Sequence, residues 1–179
     1  MINWLRRFLS LFFPQCCVVC GDALSTNENH ICVRCLARLP KTNYHTTEGN
    51  EIEQRFWGKF PIERATAYFF YKKDNEFHNI LYRLKYKDCK EIGDVLGRSL
   101  TVEMQTSGFF NGIDIIIPIP LHKKKLRKRG YNQSEWIAKG VSAITGIVMD
   151  TPSVTRIVAN PTQTRKNSYE RWENVEGIF

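Results

Sequence analysis

Two close cysteine pairs constrain this chain more than any other feature. They read Cys17-Val-Val-Cys20-Gly21 and Cys32-Val-Arg-Cys35, with eleven residues between Cys20 and Cys32. Each C-x-x-C sets two sulfurs on one tight turn, which is the bite of a tetrahedral zinc ion. Gly21 suits the unusual backbone angles of such a turn. The polar segment from Asp22 to Ile31 can fold back and deliver the second pair to the same ion. Cys17, Cys20, Cys32 and Cys35 therefore read as a structural Zn2+ site. The competing reading is two disulfides in an exported protein. Zinc is favoured because no convincing export signal precedes the pairs. Cys16 and His30 are near enough in sequence to substitute as ligands, and Cys89 reads as an isolated thiol.

The opening stretch MINWLRRFLSLFFP has too short an apolar run, and no small-residue cleavage site, for a signal peptide. Trp4, Leu5, Phe8, Leu11 and Phe12 recur at helical spacing. They predict a short amphipathic helix packed on the body, with a weak membrane-surface contact of residues 1–14 as the alternative. The 179 residues contain no run of about 18 apolar positions, so no transmembrane segment is expected. The expected location is cytoplasmic, with a peripheral position at the inner face of the cell membrane as its variant. With 42% hydrophobic and 25% charged residues, the chain is globular in composition and long enough to bury a core.

Beyond a polar, irregular stretch from Leu36 to Trp57, elements alternate. Ile62 to Tyr71 reads as a strand. Phe77, Ile80, Leu81 and Leu84 mark one amphipathic helix, and Ile92, Val95, Leu96, Leu100 and Met104 a second. Ile113-Asp-Ile-Ile-Ile-Pro-Ile-Pro120 reads as a strand buried on both faces of a parallel sheet. Asn132, Glu135 and Gly146 cap a third helix, and Ile147 to Met149 is a short strand. This order predicts an α/β fold with a mainly parallel sheet. Neither a G-x-G-x-x-G nor a G-x-x-x-x-G-K-[ST] phosphate loop occurs.

The charge is concentrated. Lys+Arg number 26 against 18 Asp+Glu, a formal +8. Six of the seven residues 123–129 are basic, so removing them leaves 8 − 6 = +2. The segment is Leu121-His122-Lys123-Lys124-Lys125-Leu126-Arg127-Lys128-Arg129-Gly130-Tyr131-Asn132-Gln133. It runs from the carboxyl end of the apolar strand into the third helix, where α/β sheets bind ligands and helix N-termini attract anions. The segment reads as a phosphate or pyrophosphate site, against a solvated charge run or a nucleic-acid patch. Tyr131 could stack a base, though a packing role is the more usual one.

Together these residues resemble the ComF family, phosphoribosyltransferase-like proteins linked to natural competence and DNA uptake. The resemblance rests on the two cysteine pairs, Leu84-Lys85-Tyr86, Asp114-Ile-Ile-Ile-Pro-Ile-Pro-Leu-His122, Leu126-Arg-Lys-Arg-Gly-Tyr-Asn-Gln133, and Arg171-Trp-Glu-Asn174-Val with Phe179. These segments span nearly the whole chain, and the strand and basic loop also resemble amidophosphoribosyltransferases.

The resemblance implies a type I phosphoribosyltransferase-like, Rossmann-like α/β domain over 62–179. Ahead of it would lie an N-terminal helix and zinc-finger module over 1–40 and a linker over 41–61. It implies that His122, Lys123, Lys124, Lys125, Arg127, Lys128, Arg129, Gly130, Tyr131 and Asn132 bind the pyrophosphate of phosphoribosyl pyrophosphate, with Mg2+. It places Gln163, Arg165 and Arg171 on a lid that excludes water. The sequence departs from the family at Asn160, with Thr162 nearby, and at Lys166. It also lacks two adjacent acids followed by a Thr/Gly/Ser-rich turn, the loop that would hold ribose and 5′-phosphate; the family places that loop just beyond Phe179. The expected function is therefore phosphoribosyl pyrophosphate binding in competence and DNA uptake, with glycosyl transfer open and an incomplete domain expected. The alternatives are a non-catalytic module for single-stranded DNA or uptake machinery, and a truncated remnant.

Overall fold

The computed structural model describes residues 14–159 and 178–179. The helix expected over 1–14 and the lid residues Gln163, Arg165 and Arg171 lie outside the described residues, Pro14 apart.

Around the cysteines, local hydrogen bonding replaces long regular structure. Helix α1 (Val33–Ala37) is capped by the sulfur of Cys32, which accepts from the Cys35 N–H. A 3-10 turn (Tyr44–Thr46) leads to the one-turn helix α2 (Glu51–Gln54). Two buried polar residues organise this polar region. Asn50 Oδ1 accepts from Ile52 and Glu53, while its Nδ2 reaches the carbonyls of Tyr44, Thr47 and Ala65. Glu53 accepts from the N–H groups of Gly49 and Ala65 and from Arg64. Burial alone would raise its carboxyl pKa, but these donors hold it below the usual range.

The two helices expected from apolar spacing are α3 (His78–Tyr86) and α4 (Glu91–Met104). They bury Ile80 and Leu84, and Ile92, Leu96 and Met104. Strand β1 (Ile115–Ile116) precedes α5 (Lys123–Arg129) and α6 (Gln133–Thr145), and β2 (Val148–Met149) follows. The strands pair in parallel, Ile115 with Val148 and Ile116 with Met149. The fold is thus mixed α/β, mostly helical, with a small two-stranded parallel sheet among the described residues.

Helix α6 is tied down at both ends as its capping residues predict. Asn132 accepts from the Ser134 N–H and donates to Glu135, and Gly146 closes the helix in the left-handed region. Its contact with α4 depends on glycine. A Cβ at Gly97 would overlap the Ile137 carbonyl oxygen, and one at Gly140 would overlap the Asp94 carbonyl. At Gly93 a Cβ would lie 2.8 Å from the Trp136 Cβ. The two backbones meet where no side chain intervenes.

Two strand expectations need correction. Residues 62–71 form no ladder beyond one antiparallel bridge, Lys41 with Phe69. Their backbone groups go elsewhere: Ala65 donates to Glu53, and Tyr68 and Phe70 bond the 40–42 segment. The apolar run at 113–120 is buried on one face only. Ile113, Ile115, Ile117 and Ile119 are between 38% and 65% exposed, whereas Pro118 is buried. Composition cannot separate one-sided from two-sided burial when every position but Asp114 is apolar.

One hydrophobic cluster runs through the described structure. It joins Cys17, Val18, Ile31, Cys35 and Leu39 to Phe77, Ile80, Leu84, Ile92, Leu96 and Tyr131. The cysteine region and the helical body share this core.

Candidate metal centre and cationic edge

The sulfurs of Cys17, Cys20, Cys32 and Cys35 lie within 4.8 Å of one another. All six cysteines are free thiols, so the disulfide alternative does not hold in this structure. A tetrahedral zinc with bonds of about 2.3 Å needs sulfurs about 3.8 Å apart. Cys20 and Cys32 are separated by 3.8 Å. Backbone N–H groups already face the sulfurs: Cys32 donates to Cys17 at 3.4 Å, and Cys35 to Cys32 at 3.4 Å. Such donors neutralise part of the charge of a thiolate cage. Burial opposes ionisation of Cys17, but N–H donors from Cys32, Cys20 and Val19 bring its pKa down to about 7. Burial and the neighbouring thiols Cys32, Cys20 and Cys17 push Cys35 upward. Sulfur number, spacing and hydrogen bonding all fit a metal ion such as zinc.

The other candidate ligands are placed apart. Cys16 is exposed, with its thiol directed at the Pro14 carbonyl. His30 reaches Glu91 on α4 at 3.7 Å, linking the cysteine region to the body. Glu28 holds the intervening loop by accepting from Ser25 and Val33.

The basic segment is a helix, α5, where a loop was expected. Lysine, arginine and leucine are good helix formers, and Gly130 at φ +83° ends the helix. His122 caps the start: its Nδ1 accepts from the Lys124 N–H at 3.2 Å. Arg127, Lys128 and Arg129 occupy the last turn, where cations complement the helix dipole. No buried residue lies on α5, so all six cationic side chains reach solvent to some degree. Burial, then the charges of Arg156 and Arg129, hold Lys125 below the ordinary lysine pKa. An anion there would relieve that repulsion.

The residues after α5 are structural. Tyr131 is buried and donates its hydroxyl to the Leu84 carbonyl of α3 at 2.6 Å, which fits the packing role. Asn132 is 1% exposed and also donates to the Ile119 carbonyl, tying the β1 exit to α6. Arg129 lies over the Tyr86 ring at 5.9 Å, so the cationic helix abuts the exposed side of α3. That side was not among the site residues expected from the sequence, although Tyr86 belongs to the Leu84-Lys85-Tyr86 motif. The signal for that side was His78, Tyr82 and Tyr86 at i, i+4 and i+8.

Among the described residues, no helix is long and apolar enough to cross a membrane. The described features define a mixed α/β protein with a four-cysteine cluster competent for a metal ion and one strongly cationic helix. The chain is 28% identical over 180 aligned residues to "DNA utilization protein YhgH" of Shigella flexneri, covering 98% of this chain and 75% of that one. The proteins of the same name from Escherichia coli K12 and Salmonella typhimurium LT2 are each 27% identical over the same shares. No protein-family model matches the chain, and no solved structure does.

Proposed function

We propose that this chain is a ComF-like, DNA-handling protein acting in DNA uptake, with α5 as its phosphate-binding element. The observation that carries the reading is positional. Six cations sit on seven residues that follow the carboxyl end of a parallel strand. Ligands of α/β proteins bind at such ends. Near-full-length similarity to proteins named for DNA utilization supports the DNA role.

Phosphoribosyl pyrophosphate, with Mg2+, is the proposed small ligand. Lys123, Lys124, Lys125, Arg127, Lys128 and Arg129 would supply the charge, with His122, Gly130, Tyr131 and Asn132 shaping the segment. The order β1–α5–α6–β2 accords with a phosphoribosyltransferase-like domain over 62–179. Zinc is the proposed ion of the 1–40 module, with 41–61 connecting the two. Gln163, Arg165 and Arg171 would cover the ligand. No two acids are adjacent anywhere in the sequence. The proposal is therefore ligand binding, without a claim of glycosyl transfer.

Calorimetric titration with pyrophosphate, and separately with phosphoribosyl pyrophosphate, each with Mg2+, tests the small-ligand reading. The wild type should bind both. The triple variant Lys123→Gln, Lys124→Gln, Lys125→Gln should bind at least about tenfold more weakly, because each lost charge-assisted contact matters. Equal affinity in a variant with an unchanged circular dichroism spectrum would remove α5 from the site.

A further inference from the structure

The exposed side of α3 carries an aromatic ladder. His78 and Tyr82 stack with ring centroids 5.8 Å apart and planes 29° apart. Tyr82 and Tyr86 follow at 5.5 Å and 46°. Tyr82 is 42% exposed and Tyr86 60%. The buried face of the same helix, Ile80 and Leu84, already anchors it in the core, so burial does not explain these rings. Pairing of aromatics four residues apart steadies a helix only weakly.

The ladder is set among cations. Lys87 lies over the Tyr82 ring at 5.9 Å, and Arg129 of α5 over the Tyr86 ring at 5.9 Å. From His78 to Lys87 the chain holds Arg83, Lys85 and Lys87 and no acid. The Tyr131 hydroxyl fixes α3 against the segment that leaves α5. Arg129 thus brings the end of the cationic helix to the aromatic ladder, and Tyr131 ties the following segment to α3.

We infer that this surface binds single-stranded nucleic acid, with bases stacking on Tyr82 and Tyr86 and the phosphate backbone following Lys87 and Arg129 towards α5. Stacking rings beside a cationic track are how proteins hold single strands without reading sequence. The bases of a duplex already stack on one another, so it has no faces to offer the ladder. A docking protein would meet Arg83, Lys85 and Lys87, none of which forms an ion pair among the described residues. The inference rests on the DNA-handling reading above and gives its strand-binding residues.

The test is fluorescence anisotropy of the full chain with a short labelled oligothymidylate and with a duplex of equal length. Tyr82→Ala and Tyr86→Ala should each weaken oligothymidylate binding at least about fivefold and leave the salt slope unchanged. Tyr82→Phe and Tyr86→Phe keep the ring and should bind like the wild type, which separates stacking from a folding defect. Duplex should bind more weakly and respond little to the alanine variants. If the wild type binds no oligothymidylate, the DNA-handling reading falls with this inference. If it binds, but the alanine variants match the wild type or the phenylalanine variants lose as much as alanine, only the stacking surface is overturned.

Discussion

Between Cys16 and Leu39 the only helix is the five-residue α1, and the buried Val18, Ile31 and Leu39 lie in one cluster with Cys17, Cys32 and Cys35. An ion held by the four thiols would tie both ends of this segment together. Binding of a structural metal is itself folding free energy where the unfolded chain has no preformed site. Cys17, Cys32 and Cys35 are buried and belong to the same cluster as Ile80 and Leu84, so loss of the ion should be felt in the helical body. The purified reduced protein should contain one zinc per chain. Cys35→Ser should lower both zinc content and melting temperature, and a strong chelator should shift wild-type melting in the same direction. Metal analysis with well under one zinc per chain, or melting indifferent to chelator and substitution, would contradict the assignment. This site was legible because spacing alone states its chemistry. Cys16 and His30 could be set aside only in three dimensions, one being exposed and the other paired with Glu91.

At the level of elements, the α4–α6 crossing is the contact least tolerant of added atoms. Gly93, Gly97 and Gly140 let the helices approach until backbone meets backbone. Gly97→Ala must push the pair apart, at about 1–3 kcal/mol by the usual cost of overpacking. Thermal melting should fall by several degrees, and an unchanged midpoint would show the crossing to be looser than described. The helices themselves were readable from apolar periodicity, and α6 to within a residue from its caps. Its glycine contact was not, since an isolated glycine inside a helical pattern does not say what it faces. The nature of α5 was hidden for a different reason. A run of like charges has no apolar stripe, so neither period shows. The strand expected at 62–71 failed because its backbone partners, Glu53 and the 40–42 segment, are remote in sequence.

Over the whole molecule, charge and core are arranged on different principles. The core is continuous from the cysteine cluster through α3 and α4 to Tyr131. The charge is local: without the six cations of α5 the net charge is only +2. Tyr131 joins the two, since its buried ring and its bond to Leu84 hold α5 beside the exposed face of α3. The cationic half of this surface was plain in the sequence. The aromatic half was marked only by the i, i+4, i+8 spacing of His78, Tyr82 and Tyr86, which does not say that the rings are exposed beside α5. The central claim is that α5 contacts phosphates, and the salt dependence of single-strand binding tests it most directly. Each phosphate contact contributes about 0.7 to the slope of log affinity against log salt for a single strand. Replacing Lys123, Lys124 and Lys125 by glutamine should flatten the wild-type slope by up to about 2. A slope unchanged in the folded triple variant would contradict the account.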